Sequence, residues 1–137
     1  MTKTLPVIRA WHNTYFATAP GPGTSYAVVA PSWASGAETC IDTQGAKQIS
    51  IQVNAPATVT GTSPTMDVRV EHSNDGENWT TLYDFPQWTT NGTKMFTMPN
   101  PSGTDPQACG RYLRFQAKVG GTSPSFPNVS AFVSLKE

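Results

Sequence analysis

The sequence predicts an all-β fold, an antiparallel β-sandwich with jelly-roll or related Greek-key wiring, an extended N-terminal arm and long loops. Two patterns predict it. Apolar and polar residues alternate in short runs, the period of strands with one buried and one wet face. Those runs are broken repeatedly by turn formers, 12 Pro and 11 Gly in 137 residues, which leaves little room for the helical crossovers that parallel strands need. One-sided alternation is then satisfied most simply by two sheets packed face to face, with a small closed barrel as the alternative. The length fits one domain, residues 1–137.

Residues 1–10 read as an extended arm, with weak strand character at 7–11 and again at 14–18. Further weak strands are expected at 26–30, 39–41, 79–83 and 94–98. Four runs are clear. Ile49, Ile51 and Val53 oppose Gln48, Ser50 and Gln52, and Met66, Val68 and Val70 oppose Asp67, Arg69 and Glu71. Leu113, Phe115, Ala117 and Val119 alternate with Tyr112, Arg114, Gln116 and Lys118; Val129, Ala131, Val133 and Leu135 alternate with Ser130 and Ser134. About seven to ten strands follow. Residues 19–23 and 99–106, rich in Pro and Gly, read as exposed loops or arms. Gly61-Thr62-Ser63-Pro64 recurs as Gly121-Thr122-Ser123-Pro124, two turn-forming segments expected at the same end of the fold.

Charge bounds the function. Lys+Arg and Asp+Glu number nine each, and only 13% of residues are charged, which argues against a nucleic-acid binder. The longest apolar run, residues 26–31, is far short of a helical membrane span. The N-terminus lacks the continuous apolar region of a secretory signal and reads as the start of a protein made in the cytoplasm. The sequons at Asn78, Asn91 and Asn128 then reflect composition rather than glycosylation. Cys40 and Cys109 have no metal-site spacing; they are buried free thiols or, if their strands are neighbours, a disulfide closing a loop of about seventy residues.

Candidate chemistry is sparse. His12 and His72 are the only imidazoles and belong to no nucleophile or metal motif; His72 continues the apolar face of Met66, Val68 and Val70 and reads as a core-edge residue. No pair of carboxylates is nominated for glycosidase chemistry. Residues 73–79, Ser-Asn-Asp-Gly-Glu-Asn-Trp, read as a hairpin turn closed by Trp79, with calcium binding by Asp75, Glu77 and Asn78 as the rival. The expectation is a protein without enzymatic activity, cofactor or metal. Trp11, Tyr15, Trp33, Trp79, Tyr83, Trp88 and Tyr112 serve either core and interface packing or a sugar-stacking platform. Trp33 and Trp88, in segments without clean alternation, are the candidate partner contacts, joined by Arg9 and Trp11 near the N-terminus.

Four segments together resemble a known group. They are residues 61–70 (Gly-Thr-Ser-Pro-Thr-Met-Asp-Val-Arg-Val), residues 73–79, residues 111–115 (Arg-Tyr-Leu-Arg-Phe) and residues 120–126 (Gly-Gly-Thr-Ser-Pro-Ser-Phe). The pattern, spanning about residues 47–135, resembles small β-sandwich structural proteins of tailed bacteriophages, commonly capsid decoration (cement) proteins. The resemblance implies a virion protein, made in the host cytoplasm, that binds and stabilises the shell of the major capsid protein and self-associates as a homotrimer. Charge balance and the short apolar runs argue for no nucleic-acid or membrane partner. Residues 73–79 alone also resemble discoidin-like and other carbohydrate-binding sandwiches, so a carbohydrate-binding module is the rival reading, and a tail adaptor the other. On the decoration reading, residues 1–10 and 19–23 are arms that order on a neighbouring subunit.

Overall fold

A computed structural model describes residues 4–17, 26–31, 40–99, 103 and 106–136. The described chain is all-β and antiparallel, as its alternation requires. The strands are β1 (Thr4–Phe16), β2 (Ala27–Val29), β3 (Ile41–Asp42), β4 (Gln48–Ala55), β5 (Thr60–Ser73), β6 (Thr80–Asp84), β7 (Gly92–Met98) and β8 (Tyr112–Lys136). They form one sheet along the path β6-β5-β8-β4-β7, with β1, β2 and β3 each joined to β8.

β8 organises this sheet. Its first part pairs with β5 on one side and with β2 and β3 on the other. Its last part pairs with β4 and β1. The sheet curls through this 25-residue strand into two halves, β6-β5-β8 with β2 and β3, and β1-β8-β4-β7. Side chains from both halves meet in one core. Trp11 of β1 lies 5.1 Å from Phe115 of β8's first part, ring centre to ring centre, and Tyr83 of β6 stacks on Phe96 of β7 at 4.0 Å. Ile49, Ile51 and Val53, and Met66, Val68 and Val70, are all buried, so the alternating runs do mark the inward faces of β4 and β5.

Two runs that read as separate strands are one in β8. Its inward positions are odd-numbered from Leu113 to Val119, even at Pro124 and Phe126, and odd again from Val129 to Leu135. Positive φ at Gly121, Ser123 and Asn128 marks where the chain shifts phase without leaving the sheet. The recurring tetrapeptide supplies half of that device. Rather than two separate turns, the copies face each other across the β5–β8 ladder, where the register slips between Thr60 and Thr62 and between Thr62 and Thr65. Ser63 and Ser123 share the same φ of 49°, and Gly61 and Gly121 also have positive φ.

The expected N-terminal arm is corrected for residues 4–10, which belong to β1 and pair with β8 of the same chain. Ala10 and Trp11 are fully buried. Four register irregularities along β1 break its alternation, so one strand reads in sequence as two weak ones, 7–11 and 14–18, preceded by an arm. Residues 1–3, the expected loop at 19–23, and residues 100–102 and 104–105 of the second lie outside the described residues.

Candidate interaction surface

The two outer faces of the sheet differ in how their charges are satisfied. On the half built from β5, β6 and the first part of β8, alternation places Asp67, Arg69 and Glu71 opposite the core. Arg69 Nε donates to Asp84 Oδ1 at 2.7 Å, and Arg114 Nε to Glu71 Oε1 at 2.6 Å. Gln87 Nε2 donates to both oxygens of Asp67, at 3.0 and 3.2 Å, and Lys118 stands directly across the ladder from Asp67. Cations also lie over rings: Arg69 and Lys118 over Tyr26, at 4.0 and 4.7 Å, and Arg114 over Trp79 at 4.5 Å. At the end of this half Arg111 bonds Asp42 at 3.1 Å, which holds the Asp42 carboxyl below its ordinary range. The bond to Asp84 likewise raises Arg69, and burial raises Tyr26. This face therefore answers most of its charges from its own side chains.

The other half is built differently. None of the residues of β1, β4, β7 or the last eleven positions of β8 is Asp or Glu. Register aligns their outward side chains in rows that cross all four strands. One row is Val7, Ser134, Ser50 and Thr97; the next is Arg9, Phe132, Gln52 and Met95. A third continues through Ser130, Asn54 and Thr93, where Thr93 Oγ1 donates to Asn54 Oδ1 at 2.6 Å. Val7 and Met95 are 61% and 57% exposed and flank an open groove that Phe132, Ser50 and Gln52 also line. Among the described residues the cations on this outer face are Arg9 and, at the end of β8, Lys136, whereas Lys94 of β7 lies on the inner side over the Trp88 ring. The Arg9 guanidinium lies 5.3 Å from the centre of the Phe132 ring and its Nη1 bonds His12 Nδ1 at 2.9 Å.

Of the expected contact residues, Arg9 alone is placed on this surface. Trp88 is corrected: it is 2% exposed, its backbone forms a two-way bridge with Met66, and its indole Nε1 donates to the Gly92 carbonyl at 3.1 Å. Its surroundings look irregular in sequence because the segment leaves one half of the sheet for the other. Trp11 is likewise a core residue, in ring contact with Phe16 and Phe115. Trp33 lies outside the described residues. Sequence reasoning missed Val7, Met95 and Phe132. For Phe132 the signal was present, an aromatic on the otherwise hydroxylic side of an alternating strand, between Ser130 and Ser134.

Other candidate sites resolve into structure. Asp75 accepts bonds from the Ser73 hydroxyl, the Glu77 and Asn78 amides and the Asn78 side chain, all at 2.8–2.9 Å, so residues 73–79 form the hairpin turn and its carboxylate is engaged by that turn. His72 is half-buried and its Nδ1 accepts the Gly110 amide at 2.9 Å. Among the described residues no three His, Cys, Asp or Glu side chains group as metal ligands. Nor do the aromatics gather on one face: Trp11 and Trp88 are in the core, Tyr83 is stacked on Phe96, and Trp79 lies beneath Arg114. No protein-family model matches the chain, and no curated protein matches it.

Proposed function

We propose that the protein is a structural component of a tailed-phage virion, a capsid decoration protein that binds the assembled shell of the major capsid protein and stabilises it. The observation that carries this reading is the carboxylate-free outer face of β1, β8, β4 and β7, with Val7, Met95 and Phe132 among short uncharged side chains. Such a surface loses little on desolvation, since hydroxyls and amides can be re-bonded across an interface and apolar tips gain on leaving water. Mechanism here means burial: a contact of about 800 Å² per partner lowers the free energy of the assembled shell relative to separated subunits. The sequence resemblance over about residues 47–135 supplies the phage context. Self-association as a trimer about a local threefold axis of the shell belongs to the same proposal.

The test is reconstitution. Shells of the corresponding phage lacking the protein are incubated with purified chain, and occupancy and shell melting are measured. Saturable binding at many copies per shell with a raised melting temperature supports the reading. Binding at a few copies near the tail vertex would make it a tail adaptor. An absence of binding, with glycan-dependent changes in Trp fluorescence instead, would favour the carbohydrate module.

A further inference from the structure

We infer that the outer face of β1, β8, β4 and β7 docks an extended partner segment that presents an apolar side chain between two carboxylates, of the form Glu-x-Leu-x-Glu. This deepens the reading above and rests on it for the identity of the partner as a shell protein. Among the described residues the face is asymmetric in charge: it carries the cations Arg9 and Lys136 on strands that hold no Asp or Glu. The outer face of the other half pairs its arginines with carboxylates of its own, so among the described residues the cations without a carboxylate partner on this surface lie where Val7 and Met95 are exposed.

The spacing sets the motif. Arg9 is in register with Phe132, and Lys136 is four residues further along β8, about 13 Å at the rise of a strand. An extended segment lying over the outer face of β8 and along it repeats its side chains on one face every second residue, so positions i and i+4 span the two cations. Position i+2 then lies over the row of Val7, Ser134 and Ser50, at the groove that Met95 bounds. Arg9 is already oriented, held over the Phe132 ring and bonded to His12, which lowers the ordering cost of a new ion pair. A second copy of this face is a poor occupant, because it would set Arg9 and Lys136 against like charges with no carboxylate between them among the described residues. A nucleic acid is equally poorly matched, since two cations answer few phosphates and leave Val7 and Met95 without apolar contact.

The experiment uses the full chain, ¹⁵N-labelled, titrated with three synthetic peptides centred on Glu-Thr-Leu-Thr-Glu, Lys-Thr-Leu-Thr-Lys and Glu-Thr-Ser-Thr-Glu. The expected result is amide shifts confined to β1, β4, β7 and the last part of β8 with the first peptide, at least tenfold weaker binding of the other two, and weakening by salt. Arg9→Glu with Lys136→Glu, checked for retained fold by circular dichroism, should reverse the preference toward the Lys peptide. Shifts elsewhere, equal binding of the Lys peptide, or face shifts produced by raising protein concentration alone would overturn the inference, the last in favour of a second copy. Tighter binding of a single-stranded oligonucleotide than of the Glu peptide would also overturn it. The two proposals separate cleanly: shells bound equally by the charge-reversed protein refute the inference but keep decoration, whereas peptide recognition without shell binding does the opposite.

Discussion

Gly61 and Gly121 each lie against the tetrapeptide that contains the other. A side-chain carbon on Gly61 would stand 2.7 Å from the Ser123 carbonyl oxygen, and one on Gly121 would stand 2.5 Å from that of Ser63. Both have positive φ, 114° and 102°. The relationship is reciprocal because two identical sequences cross antiparallel at equivalent positions of β5 and β8. Their closeness lets β8 shift phase within the sheet, and so lets one strand serve both halves of the fold.

Gly61→Ala and Gly121→Ala should therefore each cost on the order of 2–4 kcal/mol, since strain at φ adds to a clash with backbone that cannot rotate away. Gly45→Ala is the control: its φ is 70°, but nothing lies within 4 Å of the added carbon, so it should cost only about 1 kcal/mol. Urea denaturation measures all three. Equal losses at the three sites would mean that φ alone, not the crossing, accounts for the glycines.

Trp88 and Trp11 should behave as folding residues. Trp88→Ala removes a buried ring packed near Phe85 and should cost about 3–5 kcal/mol. Trp11 differs, because its buried Nε1 has no hydrogen-bond partner among the described residues. Trp11→Phe loses volume but also removes that unpaired donor, so it should cost clearly less than Trp88→Phe, which breaks the bond to Gly92. Melting temperatures of the two Phe variants decide it, and a larger loss at Trp11 would show that ring volume dominates.

The contrast also shows what could be read from the chain. β4, β5 and both parts of β8 were legible because each buries one face and wets the other, and Asp75 was legible as a turn residue because Asn-Asp-Gly tolerates its backbone. β1 was legible only as two weak pieces, 7–11 and 14–18, since its register irregularities spoil the period, and Trp88 was not legible as a core residue, since its burial depends on a bridge to Met66, 22 positions away. The surface formed by Val7, Phe132 and Met95 was illegible for a related reason. Val7 and Met95 are unremarkable in their own strands, Phe132 stands out only as an aromatic between Ser130 and Ser134, and only the register of three ladders makes the three neighbours.

Cys40 and Cys109 should remain free thiols in the folded protein. Ile41 pairs with Leu113 and Thr43 bonds the Arg111 carbonyl, so Cys40 lies toward Arg114 while Cys109 lies beside Gly45 and Ala46, at the opposite end of the short β3 ladder. Both thiols are free in the structure, and neither cysteine stands across that ladder from the other. Burial pushes the Cys109 thiol up to about 11 and also raises Cys40. At pH 8.5, alkylation of the native protein should be slow at Cys109 and become fast on denaturation, where an ordinary thiol is half ionised. Rapid native labelling of Cys109, or an intramolecular disulfide in a non-reducing digest, would contradict this arrangement.

The turn after β5 should make the fold acid-sensitive through Asp75. The Asn78 amide and side chain, the Glu77 amide and the Ser73 hydroxyl all donate to its carboxylate and hold it well below the usual carboxylate range. In the unfolded chain those donors are lost and the group returns to a pKa of about 3.9. The folded pKa is thus depressed, so the stabilisation is fully present above about pH 4 and falls away as the pH drops toward the folded value. Asp42, lowered chiefly by its bond to Arg111, adds a contribution of the same sign. Asp75→Asn removes one acceptor oxygen and all of the titration. Its melting temperature should lie below that of the wild type at pH 7, and the gap should narrow steadily as the pH falls from 4 to 2. Parallel melting curves across that window would show that the turn holds its shape without help from the ionised carboxylate.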